Sequence, residues 1–192
     1  MTHAEDSADV AVRVARAFER AGVEYAVGGS VAASAYGEPR ATRDLDFAIR
    51  LSGSQASTLV QELGSEFDVD PDALNDAIRT GRPVNIFYLP VFTKIDLFVR
   101  GYDPYDEAEF SRRRAIEPVS GEPIQASSPE DNLLWKLRWF RKGGEISDQQ
   151  WRDVLGILRI SGDTMDLDYV RTWARTHAVV DLLERALSQR PV

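Results

Sequence analysis

The stretch Arg43-Asp44-Leu45-Asp46-Phe47-Ala48-Ile49-Arg50-Leu51 opens by alternating polar and apolar side chains, the period-two pattern of a strand with one buried face. Residues two apart on a strand share a face, with α-carbons roughly 6.6–6.8 Å apart. Asp44 and Asp46 therefore project together, while Leu45 and Phe47 face the other way. Unneutralised neighbouring carboxylates raise one another's pKa and cost stability, so the pairing is tolerable chiefly where a cation lies between them. A third aspartate, Asp96, is bracketed by Ile95 and Leu97, and the same alternation predicts a neighbouring strand. Three carboxylates offer hard oxygen ligands, the donor set of magnesium or manganese. With no cysteine and only two histidines in 192 residues, a zinc site is disfavoured.

Ahead of the aspartates stands Gly28-Gly29-Ser30, where the strand "VEYAV" gives way to the predicted helix "SVAASAY", starting at Ser30 and closed by Gly37. Two glycines let the backbone approach a ligand closely, and the free N–H groups opening a helix attract an anion. An anion cradle beside a carboxylate cluster suits a metal–triphosphate complex, the metal bridging the two. Arg43 stands where it would steer a triphosphate or simply offset Asp44, and Lys94 where it would share the face of Asp96 as its ion-pair partner.

These residues carry a resemblance. Gly28-Gly29-Ser30, about a dozen intervening residues, Asp44-Leu45-Asp46 and the later Asp96 resemble the signature of the polymerase-beta-like nucleotidyltransferase superfamily. "GGSVAASAYGEPRATRDLDF" is most similar to its AbiEii-type branch, which includes abortive-infection and toxin–antitoxin effectors. The resemblance implies an α+β fold, a small mixed sheet flanked by helices and followed by a helical bundle segment. It also implies transfer of a nucleoside monophosphate from a nucleoside triphosphate to a hydroxyl, on a tRNA end, a protein or a small molecule. Asp44 and Asp46 would be metal ligands, Asp96 the third carboxylate that helps activate the acceptor, and Gly28, Gly29 and Ser30 the phosphate contacts. A cognate antitoxin is a partner that a toxin-type member would have. The branch further carries a helical lysine followed by an Arg-Asp pair, which Lys136, Arg152 and Asp153 match.

The helix around Lys136 is independently legible. Leu133, Leu137 and Phe140 form its apolar stripe, with Lys136 at the boundary, where a long side chain reaches a cleft. Asp153 shares a stripe with Ile157 and Ile160. A carboxylate there wants a partner, and a structural ion pair with Arg152 or Arg138 is as good a reading as a catalytic one.

The remaining pattern predicts an amphipathic first helix ending at Gly22, helices over 53–66 and 72–80, two strands around a turn at Pro90, a polar helix over 104–113 and short strands to Gln125. Ser128 and Ser147 then cap two helices, and two more cover 166–176 and 179–189. The boundary falls at residues 126 and 127, between a nucleotidyltransferase core, 1–126, and a C-terminal helical segment, 127–192. No apolar run approaches the length that spans a bilayer and no signal-peptide pattern opens the chain, so a cytoplasmic protein without membrane partners is expected. A net charge of −8 opposes nucleic-acid binding over the whole surface. Arg112-Arg113-Arg114 and the 136–142 stretch are the local basic candidates, solvated helix faces being the plainer reading. Trp135, Trp139, Trp151 and Trp173 recur at helical spacings and read as packing rather than as base-stacking platforms. A second class of function stays open: a nucleotidyltransferase-fold binding module without turnover, acting as a regulatory or toxin–antitoxin partner.

Overall fold

A computed structural model describes residues 6–36, 44–118 and 122–190. Helix α1 (Ser7–Arg20) is followed by strand β1 (Glu24–Val27), helix α2 (Gly29–Tyr36), strand β2 (Asp44–Arg50), helix α3 (Gly53–Leu63), strand β3 (Phe67–Asp68) and helix α4 (Pro71–Thr80). Strands β4 (Val84–Tyr88) and β5 (Thr93–Val99), helix α5 (Pro104–Ser111) and strands β6 (Arg114–Ile116) and β7 (Ile124–Ala126) complete the sheet region. Helices α6 (Pro129–Lys142), α7 (Asp148–Ser161), α8 (Leu167–Thr176) and α9 (Val180–Ser188) follow. The architecture is α+β, as expected.

The strands form one mixed sheet in the order β3-β4-β5-β2-β1-β7-β6. β2 lies parallel to β5 and antiparallel to β1, while β7 runs parallel to β1. Alternation places Leu45, Phe47, Ile49, Ile95 and Leu97 on one face, all fully buried against Val10, Val14 and Phe18 of α1 and Leu59 of α3. A one-residue slip would expose this whole set, so the hydrophobic face locks the register of β2 on β5 and with it the opposite face.

A second apolar cluster joins Leu133, Leu134, Leu137 and Phe140 of α6 to Val154, Ile157 and Leu158 of α7 and to residues of α8 and α9. It recruits Ala33 from α2 and Tyr105 from α5, which seats the helical segment against the free face of the sheet. Ser128 caps α6 by accepting from Asp131 N, and Ser147 caps α7 by accepting from Gln150 N, as the capping pattern predicts.

Differences from expectation are local. Helix α2 begins at Gly29 rather than Ser30, and its predicted stop at Gly37 lies outside the described residues. Helix α3 ends at Leu63, where Gly64 turns with φ 72°, and the two-residue β3 that follows is too short to carry a periodic signal. Among the described residues no helix is long and apolar enough to cross a membrane.

Candidate active site

The face of β2 and β5 opposite the apolar one presents four charged residues at adjoining positions. Asp44 stands opposite Lys94 and Asp46 opposite Asp96, across a strand spacing of roughly 4.7–4.9 Å. Lys94 Nζ donates to Asp96 at 2.8 Å, the ion-pair partnership the sequence suggested. The three aspartates, Asp96 first, raise the lysine's pKa. Burial, then the charge of Asp96, holds the Asp46 carboxyl above its ordinary value, against the pull of Lys136. The donor chemistry fits a hard divalent cation: two carboxylates meet at paired positions, where the Lys94 ammonium, 2.8 Å from Asp96, is the balancing cation. Asp44 lies at the exposed end of β2, and its charge acts on both Asp46 and Lys94. Among the described residues no three acidic or imidazole side chains are gathered closely enough to hold an ion as they lie.

The glycine pair closes over Asp46. Gly28 N donates to Asp46 O at 2.8 Å, and Gly29 has φ 56°, where an added Cβ would collide with the Asp46 carboxylate. Only glycine meets both the left-handed conformation and the close approach. Ser30 is buried in the first turn of α2, and Asn132 Nδ2 of α6 reaches Gly29 O at 3.4 Å. The backbone at the α2 N-terminus is thus held directly against the Asp46 carboxylate.

Helix α6 forms the opposite wall. Lys136, buried to 8% exposure, donates to Asp153 Oδ2 at 2.8 Å while its charge acts on Asp46. Gln149 donates to the other Asp153 oxygen at 2.9 Å. The two helical residues marked by the sequence are therefore partners. Arg152 instead donates to Gln149, and Arg138 lies over the Trp135 ring. Arg43 lies outside the described residues.

Between sheet and helix runs a cleft of about 250 Å³. It is lined by Gly28, Gly29, Asp46, Asp96 and Lys136 around the carboxylates, and by Phe98 and Arg100 further along β5, with Glu109, Trp135, Trp139 and Gln150, as its inner part. Of this inner set the sequence singled out only the two tryptophans as stacking candidates, and read them as packing. Phe98 and Arg100 continue the i, i+2, i+4 series from Asp96, a signal that would have found them; Glu109, in an acidic helix among Asp106 and Glu107, offers none. Glu109 is fully buried. Its Oε1 accepts from Trp135 Nε1 at 2.9 Å, and its Oε2 lies 3.4 Å from Arg100 Nε. The Arg100 guanidinium in turn sits 3.9 Å from the Trp135 ring centroid.

Burial lifts the Glu109 carboxyl from 4.5 to about 7, against the charge of Arg100. An acid raised on folding stabilises the fold below its unfolded pKa and loses that contribution as pH rises through the folded value. Wild-type stability should fall between pH 4.5 and about 7 through this group, by on the order of 3 kcal/mol. Chemical denaturation of wild type and Glu109→Gln across this range checks it: the variant should lack that part of the fall.

The basic run is spent on ion pairs: Arg112 and Arg114 approach Glu130, and Arg113 pairs with Glu24. Trp151 and Trp173 pack among the helices, as expected. Trp135 and Trp139 instead face the cleft as well as each other, with ring centroids 6.4 Å apart.

No protein-family profile matches the sequence, and no curated protein does. Solved structures share the fold. The antibiotic-resistance factor ANT(2'')-Ia is similar over 95% of this chain and 97% of its own, with a TM-score of 0.55 and 12% identity. An antigenic nucleotidyltransferase-like protein from Paracoccidioides brasiliensis is similar over 94% and 92%, at 0.55 and 18% identity. The lincosamide antibiotic adenylyltransferase LnuA, bound to lincomycin, is similar over 82% of this chain and 99% of its own, at 0.54 and 14% identity. The architecture is thus a nucleotidyltransferase fold, at identities that speak to the fold and not to a shared substrate.

Proposed function

We propose that this chain is a divalent-metal-dependent nucleotidyltransferase. The observation that carries the reading is the placing of Asp46 opposite Asp96 directly beneath the Gly28-Gly29 backbone and across from Lys136. Asp46 and Asp96, with Asp44 at the rim, would hold magnesium or manganese, which when bound neutralises the phosphate oxygens. Gly29 and the α2 N-terminus cradle the β- and γ-phosphates, and Lys136 balances charge on the helix side. Asp96 accepts a hydrogen bond from the acceptor hydroxyl. The acceptor oxygen forms its bond to the α-phosphorus as the α–β bridging bond breaks; pyrophosphate leaves, and the hydroxyl proton passes to Asp96 or to water.

The motif spacing and the Lys136–Asp153 pair support an AbiEii-type member, a toxin-type effector with a cognate antitoxin. The fold relatives that act on or resist antibiotics support a small molecule as acceptor, beside a tRNA end or a protein hydroxyl. A binding module without turnover is favoured by one observation, the neutralisation of Asp96 by Lys94. Thermal unfolding with each of the four nucleoside triphosphates, with and without magnesium, tests donor binding. At a hundred times the dissociation constant the stabilisation should be about 2.7 kcal/mol, or roughly 2–4 °C. Pyrophosphate release in an acceptor screen then separates enzyme from binding module. No shift with any nucleotide would sink the enzyme reading and leave the binding module, with a protein as its partner.

A further inference from the structure

The inner part of the cleft does nothing in the scheme above, yet it is the more elaborately built. Its aromatic wall consists of Phe98, Trp135 and Trp139, with Phe98 lying 5.8 and 5.9 Å from the two indoles between ring centroids. Trp135 is held by its hydrogen bond to Glu109 and by the Arg100 guanidinium over its ring. Trp139 is half-buried and lines the cleft, with the Lys142 ammonium 4.4 Å from its ring centroid. The floor at this level is Ala48, paired in register with Phe98 on β5 and with Ala26 on β1. Small residues there leave room for a flat group to lie against the rings.

The polar atoms of the same stretch are unsatisfied in one sense. Asn132 Oδ1 and Gln150 Oε1 are buried acceptors without a hydrogen bond, while Glu109 Oε2 and Arg100 Nε face one another as an ion pair at 3.4 Å. A buried polar group left unpaired costs about 1–3 kcal/mol, and a cluster of them on one wall signals a guest that completes them. A surplus of acceptors calls for a guest that brings N–H or O–H donors. Phe98 stands one two-residue step, roughly 6.6–6.8 Å, along β5 from Asp96. That interval is the room a ribose fills between an α-phosphate at the carboxylates and the ring beyond it.

Resting on the nucleotidyltransferase reading, we infer that the inner cleft is the seat of the donor's nucleobase. The base stacks against Trp139, and the unpaired acceptors favour bases that carry an exocyclic amine over uracil. Stacking of a base on an aromatic side chain is typically worth enough to change affinity about 5- to 150-fold on truncation to alanine.

The test is calorimetric titration, with magnesium, of the four nucleoside triphosphates and of inorganic tripolyphosphate into wild type, Trp139→Ala and Trp139→Phe. ATP, CTP or GTP should bind wild type at least about 5-fold more tightly than tripolyphosphate does, with UTP the weakest of the four nucleotides. Trp139→Ala should erase most of that advantage while leaving tripolyphosphate affinity unchanged, which also reports that the variant is folded. Trp139→Phe, which keeps a ring, should lose less. If nucleotides and tripolyphosphate bind equally, or Trp139→Ala leaves nucleotide affinity untouched, the base seat is overturned and the phosphate site stands. UTP binding as tightly as the best of the four overturns the selection for an amine. If nothing binds, the nucleotidyltransferase reading falls and takes the base seat with it.

Discussion

Asp46→Asn is expected to abolish nucleotidyl transfer while raising the thermal stability of the metal-free protein. The two effects share one cause. Burial and the facing charge of Asp96 raise the Asp46 carboxyl above its ordinary value even though Lys136 and Lys94 pull it down, so the net cost of ionisation in the fold is unfavourable. Asparagine keeps the shape and removes the charge, so the apo protein should gain about 0.5–2 kcal/mol, the range of single stabilising substitutions. For a chain of this size 1 kcal/mol corresponds to roughly 2–4 °C. The same substitution removes a ligand from the group that would neutralise a phosphate, a contribution of several kcal/mol, so turnover should drop about 100- to 10,000-fold. Calorimetric unfolding of both proteins without metal, and pyrophosphate release with metal and nucleotide, read the two arms. Retained turnover would remove Asp46 from the mechanism, and an unfolded variant would show that the carboxylate is structural.

The second large effect falls on the pair between helices α6 and α7. Lys136 and Asp153 are exposed by only 10% and 7% of their side chains, so each charge depends on the other for its solvation. Lys136→Met should cost about 3–5 kcal/mol by removing the buried cation from the Asp153 carboxylate, while Gln149 still donates to Oδ1. Lys136→Met combined with Asp153→Leu replaces the pair by apolar volume and should recover most of that loss, since such exchanges are often neutral or stabilising. Denaturant midpoints of the two single variants and the double variant give the coupling energy. Activity then separates structure from chemistry. A double variant that is stable yet inactive assigns Lys136 to the cleft, where its charge acts on Asp46. A stable and active one would make the pair a purely structural tie.

Much of the site is legible in the sequence because its signals are local. The alternation in Asp44-Leu45-Asp46-Phe47 dictates which side chains share a face, since the strand period is two whatever the strand pairs with. Gly29 is equally local: a helix start against a strand end, with φ 56°, demands the residue without a Cβ. The capping serines, Ser128 and Ser147, mark their helices through bonds made within three residues. Lys94 as the partner of Asp96 follows from the same period along one strand.

The rest depends on contacts between residues far apart in the chain. Asp153 carries a visible need for a partner, but the partner is Lys136 and not Arg152 or Arg138, because the packing of α6 on α7 sets which side chains meet. The Trp135–Trp139 pair has the spacing of ordinary helical packing, and only the seating of α6 over the sheet turns part of it into a cleft wall. Glu109 looks like its acidic neighbours on α5. Burial against Arg100, Ser127 and Trp135, from three other stretches of chain, makes it a titrating group. Periodicity, turn chemistry and caps are properties of a few consecutive residues and survive in the sequence; burial, ion-pair choice and the shape of a cleft arise only where separate elements are brought together and water is excluded.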